Sequence, residues 1–564
     1  MRLPGLIAAA GAAILLAPAA VQAAAPAPCP GAAITPDAVY AGDFSASQEG
    51  AFVMLPFQVP ASQTGVRVKY CHDQPEAPTS AQLRHTLDIG VYGPRAAGAL
   101  WARQEFRGWS GSGTHDVTVA ENGYSPSPDD HDVTRTDRAY LPGPIGEGEW
   151  AVELGLASIV GHEGGDADGK VNWRVEIDWT ADPAFASEPY APAPYDSTPA
   201  SSSAGWYAGD FHVHGEHSRD ASASMREVFD YAFAPVAAGG AGLDFVTLSD
   251  HNTTSAWGEI GRYQPDYPGK LIVRSGEVTT YRGHANNHAG ATWVDYRTGP
   301  VYERRADGGL ASLRGPQPAS AFLGQIRSAG GFTQINHPTI FPSQVPGFQE
   351  ACRGCSWDYR DAETDYSLVD AIEVQTGPAG LEQEPRPGPN PFTPLAIEFW
   401  EDKLDEGYKI APVGGSDSHD AGRRDSVTES PIGEPTTVVF AEELSEAGIR
   451  QAIQSRHSYV KMFGSGSPDL RFEARAPRAK TPAIMGDVVR SKNASFLARV
   501  IGGAAAEGSY QLVVFKDREP IHAVPVTSGD FRFRFGSQGP GRYRIQVQRG
   551  SAVEALASPI WLEP

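Results

Sequence analysis

The chain has 564 residues and carries 68 acidic against 46 basic side chains, a formal net charge of −22. Such a length divides into about three or four domains rather than one. With no Lys/Arg block and no basic patch interleaved with aromatics, the surface repels nucleic-acid phosphates, which excludes nucleic-acid partners.

The opening, "MRLPGLIAAAGAAILLAPAAVQA", has Arg2, an apolar run and small residues at Val21 and Ala23. It predicts a secretory signal peptide over 1–23 and hence an exported protein, periplasmic or secreted. No second apolar run is long enough to span a bilayer. Export into an oxidising compartment makes disulfides the expectation for Cys29, Cys71, Cys352 and Cys355. Connectivity is not readable from spacing, but Cys29 with Cys71 and Cys352 with Cys355 is the simplest pairing. "CRGC" has no second C-x-x-C to complete a zinc site, so it reads as a loop staple.

Residues 24–185 hold short alternating strands, among them "VRVKY" (66–70), "LDIGVYG" (87–93), "EWAVELGLA" (149–157) and "VNWRVEIDW" (171–179). Gly, Pro and Asp punctuate them and no long amphipathic helix intervenes, which predicts an N-terminal β-sandwich. The stretch 186–205 is rich in Pro, Ala and Ser without periodicity and reads as a linker. From 206 to 465 strands alternate with helical patterns: "GDFHVH", helix "SMREVFDYAFAPVAAG", "LDFVTLSDH", "KLIVRSGE", helix "SAFLGQIRSAG", "GFTQINHP", "LVDAIEVQT", helix "PLAIEFWEDKLDEG", "YKIAPVGGSDSH", "TTVVF" and helix "LSEAGIRQAIQS". Repeated βα units predict a parallel sheet closed into a barrel. Residues 466–564 return to strands and predict a second, smaller β-sandwich.

Each strand of the middle region ends in a group able to bind a metal: His212 and His214, then His251, Glu277, His337, and Asp417 with His419. His212 and His214 are two apart, so on an extended strand their imidazoles share a face. Active sites of βα barrels gather at the C-terminal ends of the strands, which brings these separate positions together. Of 15 histidines, eight lie between 205 and 420. A scatter of surface histidines would not follow strand ends in this way, and a metal centre is the reading.

The segments "HVHGEHSRD", "LSDHN", "GEVTTYRGHAN" with "INHP", and "GGSDSHD" together resemble the polymerase and histidinol phosphatase (PHP) superfamily of metal-dependent hydrolases. The wording of "GEVTTYRGHAN" and the flanking β regions look most like its carbaryl-hydrolase branch. The resemblance implies a distorted (β/α)7 barrel holding two to three divalent ions. His212 and His214 would hold the first with Asp417. Glu277 would bridge it to a second held by His284 and His337, and Asp220, His251 and His419 would hold the third. Glu277, Asp417 and His419 would be the catalytic core of this set. Mixed imidazole and carboxylate suits Zn, Mn or Fe without choosing among them. His288 competes with His284 as ligand, and His217 stands near the set without matching it. Asp250 could orient a ligand imidazole or make a plain structural hydrogen bond. Arg282, beside Tyr281, and Arg423, beside Arg424, could contact an anionic substrate.

Divalent ions lower the pKa of a bound water and polarise an ester oxygen, so hydrolysis follows. No G-x-S-x-G elbow supports serine catalysis instead. The expected function is an exported hydrolase that cleaves small phosphate mono- or diesters with a metal-activated water. Hydrolysis of a carboxylic or carbamate ester on the same centre is the alternative, and a non-catalytic glycan- or surface-binding protein is a third reading that the nine filled ligand positions disfavour. The partner is a small-molecule ester; oligomeric state and the role of the flanking sandwiches stay open.

Overall fold

The computed structural model describes residues 28–30, 34–126, 132–345, 352–378, 380–381, 388–423, 430–503 and 509–564. The expected signal peptide and Arg424 lie outside these residues. The fold is mixed α/β and rich in strands, and no described helix is long and apolar enough to cross a membrane.

Two sheets form the N-terminal part. Ala38–Ser45, Lys170–Thr180, Gly65–His72 and Asp116–Ala120 make the first. In Lys170–Thr180 the alternation is visible residue by residue, with Val171, Trp173, Val175 and Ile177 buried as the pleat turns them inward. The second sheet orders Leu310–Arg314, Val301–Arg304, Phe52–Val59, Gly148–Ser158, Thr86–Arg95 and Phe106–Gly111. Its first two strands come from the middle of the chain, and Val301 pairs in parallel with Phe52. Disulfides join Cys29 to Cys71 and Cys352 to Cys355.

In the middle region Leu271–Arg274, Phe245–Leu248 and Gly205–Val213 run parallel, and Thr436–Ala441 pairs antiparallel with the last of these. Ser458–Lys461 continues this sheet into Ala552–Ala557 and the C-terminal strands without a break. A second sheet holds Glu277–Thr280, Gly283–His288, Phe332–Ile335, Ala371–Thr376 and Ala411–Gly415. Among the described residues these strands form two separate ladders, and a complete (β/α)7 barrel is not shown. The two sheets touch through single parallel bridges, Val213 with Ser418 and His251 with Glu277. The reason is local: after Arg274 the chain enters the antiparallel hairpin Glu277–His288 instead of a crossover helix. After Gly415 the ladder stops at Asp417, whose φ of 54° leaves the extended region.

Helices Met225–Phe233, Ala319–Ser328, Phe392–Asp405 and Glu446–Gln454 lie where the apolar periodicity predicts them. Ser224 and Glu227 form a capping box on the first, and the Ser445 side chain caps the last. The 186–205 stretch is tied down by Ala193 N–H to the Gly258 carbonyl (2.8 Å) and Tyr195 Oη to the Ile272 carbonyl (2.9 Å).

One apolar cluster crosses all three regions of the chain. Phe52, Tyr92 and Trp101 from the N-terminal sheets pack in it with Trp293, Tyr296 and Trp400, and Trp561 joins from the C-terminal strands. Beside it the fully buried Arg297 donates to Asp295 at 2.8 and 2.9 Å and to the Trp101 carbonyl at 2.7 Å, and lies 3.5 Å from Glu153. Removing one partner of such a network leaves uncompensated buried charge. Arg297→Ala is expected to cost about 3–5 kcal/mol, whereas Arg499→Ala, which breaks an exposed pair with Asp530, is expected to leave Tm nearly unchanged. Thermal melts of the two full-length variants check this; equal shifts in Tm would refute it.

Candidate metal centre

The strand Gly205–Val213 gives Phe211 and Val213 to apolar clusters on either side and leaves His212 facing the space between the two sheets. Asp210, buried just before it, accepts from the backbone N–H of His212 (3.1 Å), Ser416 (3.0 Å) and Gly433 (2.7 Å). It thereby ties the His212 strand to the loop that carries Asp417. Gly415 has to be glycine, because a Cβ there would lie 2.3 Å from His212 Cβ and 2.5 Å from Glu373 Oε1. Two candidate ligands, His337 (φ 27°) and Asp417 (φ 54°), sit in the sparsely populated left-handed region. Backbone strain of this kind collects at functional sites, where neighbouring contacts hold it. Here Glu373 accepts from His337 N–H at 2.7 Å and the His212 carbonyl accepts from Asp417 N–H at 2.9 Å.

All nine candidate ligands come together. Asp417 Oδ1 lies 3.2 Å from His212 Nε2 and 3.1 Å from His214 Nε2. Glu277 Oε1 lies 3.4 Å from His212 Nε2, 3.2 Å from His284 Nδ1 and 3.3 Å from His337 Nε2. Glu277 Oε2 is 2.7 Å from His251 Nδ1. Asp220 Oδ2 lies 3.4 Å from His251 Nε2 and 3.6 Å from His419 Nε2. Three overlapping groups result, His212–His214–Asp417, His212–Glu277–His337 and His214–His251–His419, each with one donor atom per residue within 4.8 Å of the others.

The donors fit divalent metal. His212 Nε2 and both ring nitrogens of His284 are buried without a hydrogen-bond partner, an arrangement that is costly unless something else binds them. Apart from His284, the imidazoles are each held through a ring nitrogen: His212 Nδ1 by Glu373 (2.9 Å), His214 Nδ1 by Ser218 (2.9 Å), His251 Nδ1 by Thr279 Oγ1 (2.7 Å), His337 Nδ1 by the Cys355 carbonyl (2.7 Å) and His419 Nδ1 by the Asp417 carbonyl (2.9 Å). Such outer contacts fix the tautomer and orientation of a ligating ring. Burial works against charge on His212, yet Asp417, Glu373 and Glu277 raise its pKa well above the ordinary imidazole value. Burial would likewise raise the Glu277 carboxyl, but His284, His212 and His251 hold it well below the usual carboxylate range. His214 falls to about 3 through burial and the neighbouring His419 and His251.

The other sequence candidates have partners of their own, although His217 also lines the cavity of the candidate ligands. Arg282 donates to both Glu363 oxygens at 2.9 Å and its guanidinium sits over the Tyr359 ring, so it serves the loop rather than the cavity. Arg423 is half exposed, donates to Ser222 Oγ at 3.2 Å and does not line the cavity. His288 bonds Ser275 (2.9 Å) and Gln334 (3.0 Å) and stacks on Phe332, which removes it as a ligand in place of His284. His217 bonds Ser255 Oγ at 2.8 Å. Asp250 accepts from Gly215 N–H at 2.9 Å, a structural bond rather than a grip on a ligand ring.

Two kinds of functional residue escape the sequence reading. Glu373 and Asp210 are buried acids in strands; the sole hint is a carboxylate inside the apolar run "AIEVQT" or just before "FHVH". The second kind is the cavity's far wall. A cavity of about 380 Å³ holds Asp220, His251, Glu277, His284, His337, Asp417 and His419 on one side and Asp88, Trp109 and the turn 110–113 of the N-terminal sheets on another. Tyr281 spans the two, donating to Asp88 Oδ2 at 2.7 Å. Nothing in the local sequence of that wall marks it.

No family profile and no curated protein matches the chain. Among solved structures it is similar to the crystal structure of a two-domain protein containing a predicted PHP-like metal-dependent phosphoesterase from Bacteroides vulgatus ATCC 8482, at 16% identity and a TM-score of 0.33, over 66% of this chain and 98% of that one. The assignment therefore rests on the side chains themselves, which define a site suited to divalent metal ions.

Glu373→Gln removes the charge behind His212 and is expected to weaken metal binding about 10- to 100-fold. Competition titration against a chromophoric chelator measures it, and unchanged affinity would remove Glu373 from the site. Protons and metal also compete for the same nitrogens. Against the effect of burial, nearby carboxylates raise His212, His251 and His337 above the ordinary imidazole range. Loading therefore releases protons, and apparent affinity rises with pH between about 6 and 8. A flat profile in the same titration would contradict this.

Proposed function

We propose that the chain is an exported metal-dependent hydrolase of the PHP superfamily that cleaves small phosphate mono- or diesters. The observation that carries the reading is the convergence of seven imidazole and carboxylate groups in three overlapping sets that share His212 and His214, with Asp220 and His284 beside them. His212, His214 and Asp417 would hold one ion, Glu277, His284 and His337 a second, and Asp220, His251 and His419 a third, with Zn, Mn or Fe all compatible. Bound ions supply Lewis acidity and a water nucleophile at neutral pH. The chain's own part is charge and orientation. Glu277 reaches imidazoles of every set, and Asp417 and His419 lie at the open side of the cavity, where an ester can approach.

The wider reading keeps a distorted (β/α)7 barrel over 206–465, the sandwiches over 24–185 and 466–564, and a signal peptide over 1–23. The two disulfides support an oxidising compartment. The "GEVTTYRGHAN" resemblance to the carbaryl-hydrolase branch supports the alternative, carboxylic or carbamate ester hydrolysis on the same centre.

Purified protein is expected to hold about two to three equivalents of metal and to hydrolyse p-nitrophenyl phosphate or bis-p-nitrophenyl phosphate when supplied with Zn, Mn or Fe. Turnover of a naphthyl carbamate alone would replace the phosphoesterase reading. Less than about one equivalent of metal and no turnover would leave a binding protein. Glu277→Gln is expected to lose more than about 100-fold in kcat, some 2.7 kcal/mol of barrier. Activity within about threefold of wild type at equal metal loading would overturn the role of Glu277.

A further inference from the structure

Arg219 precedes the candidate ligand Asp220 and lines the same cavity. Its Nε is buried without a hydrogen-bond partner, and among the described residues no carboxylate pairs with its guanidinium. Neighbouring arginines each hold a carboxylate through at least one nitrogen: Arg138 with Glu216 at 2.7 Å, Arg282 with Glu363 at 2.9 Å and Arg353, through Nη1, with Glu49 at 2.5 Å. In a chain with a net charge of −22, an arginine left unpaired beside a cavity is conspicuous. Withdrawing a guanidinium N–H from water without an acceptor is unfavourable unless a ligand provides one.

A second donor faces the same situation from another part of the chain. Trp109, on the strand Phe106–Gly111, is 8% exposed and lines the cavity, and its indole N–H has no partner. The turn that follows closes onto Arg219: a Cβ added at Gly113 would lie 2.9 Å from Arg219 Cβ. Arg353 Nε, on the loop closed by Cys352 and Cys355, is a third buried donor without a partner in the lining. Asp88 is the acid on this wall, and Tyr281 donates to it. Three unpaired N–H donors from three segments thus border the cavity that holds the candidate metal ligands.

We propose that Arg219 and the Trp109 indole form an anion subsite that takes the non-bridging oxygens of a phosphoryl group, so that the cavity selects dianionic phosphate monoesters over neutral esters. This deepens the phosphoesterase reading and rests on it. A guanidinium offers two-point hydrogen bonds to a phosphoryl group, and the indole adds a neutral donor that costs no counter-charge. A carbamate or carboxylic ester has no anionic oxygen to satisfy either.

The test uses the full-length, metal-loaded protein with Arg219→Ala, Arg219→Lys and Trp109→Phe, which keeps the ring and removes the N–H. Inorganic phosphate binding is measured by calorimetry, and kcat/KM is compared for p-nitrophenyl phosphate and the neutral p-nitrophenyl acetate. Metal content and Tm serve as controls of folding. Arg219→Ala is expected to weaken phosphate about 10- to 100-fold, with partial recovery in Arg219→Lys, a smaller loss in Trp109→Phe, and acetate turnover unchanged. Phosphate affinity within twofold of wild type at equal metal content would overturn the subsite. So would a fall in acetate turnover as large as that for phosphate, since a structural role would lower both. Should wild-type protein hydrolyse no phosphate ester, the functional reading fails, and the phosphate titration still decides the subsite by itself. If Arg219→Ala does not fold, Arg219→Lys and Trp109→Phe carry the decision by the same criteria.

Discussion

The carboxylate of Glu277 is almost wholly removed from water and faces imidazoles contributed by four separate segments of the chain. Taking one ionised carboxylate out of water costs several kcal/mol unless opposite charge and hydrogen bonds replace the lost solvation. No lysine or arginine among the described residues does this. Asn336 donates one hydrogen bond at 2.8 Å and Thr279 Oγ1 another at 3.3 Å, and the rest falls to His212, His251, His284 and His337 or to whatever cations those rings hold. The surrounding structure can be understood as what is needed to keep that many rings around one anion.

Three devices meet the need. Glycine at 415 lets the strand Ala411–Gly415 come against His212 and Glu373. The left-handed backbone at His337 and Asp417 turns two donors inward where a regular strand would carry them past, and the hydrogen bonds to Glu373 and the His212 carbonyl hold those conformations. Glu373 itself meets His212 Nδ1, His337 N–H, Gln334 and Thr376, so one buried acid orients groups on three segments. The two sheets meet at the same place, through the bridges Val213–Ser418 and His251–Glu277 beside the candidate ligands.

Much of the site was legible because its donors are polar residues at the ends of apolar strands, a pattern that short stretches such as "GDFHVH" and "INHP" display by themselves. Legibility failed where the meaning of a residue depends on a distant partner. Arg282 looked available for substrate because it adjoins the candidate ligands, yet its partner Glu363 lies 81 residues away. His288 and His284 differ by four positions and nothing local separates them; the cross-strand neighbours Ser275 and Gln334 do. The pairing of the hairpin Glu277–His288 has no local signature, since its second strand is held by the distant Phe332–Ile335. The strands 38–45, 52–59 and 106–111 were not singled out; their regularity comes from sheet neighbours far along the chain.

The cavity is built from two sources that share a core but no ligands. Its floor of imidazoles and carboxylates comes from segments between 205 and 420, and its facing wall comes from Asp88, Trp109 and the turn after it. A substitution in the wall can reshape what fits without disturbing a single candidate metal donor, while a substitution in the floor removes one of those donors. The N-terminal sheets, outwardly an accessory, thus bear on what the cavity admits as directly as the segments that carry the candidate ligands.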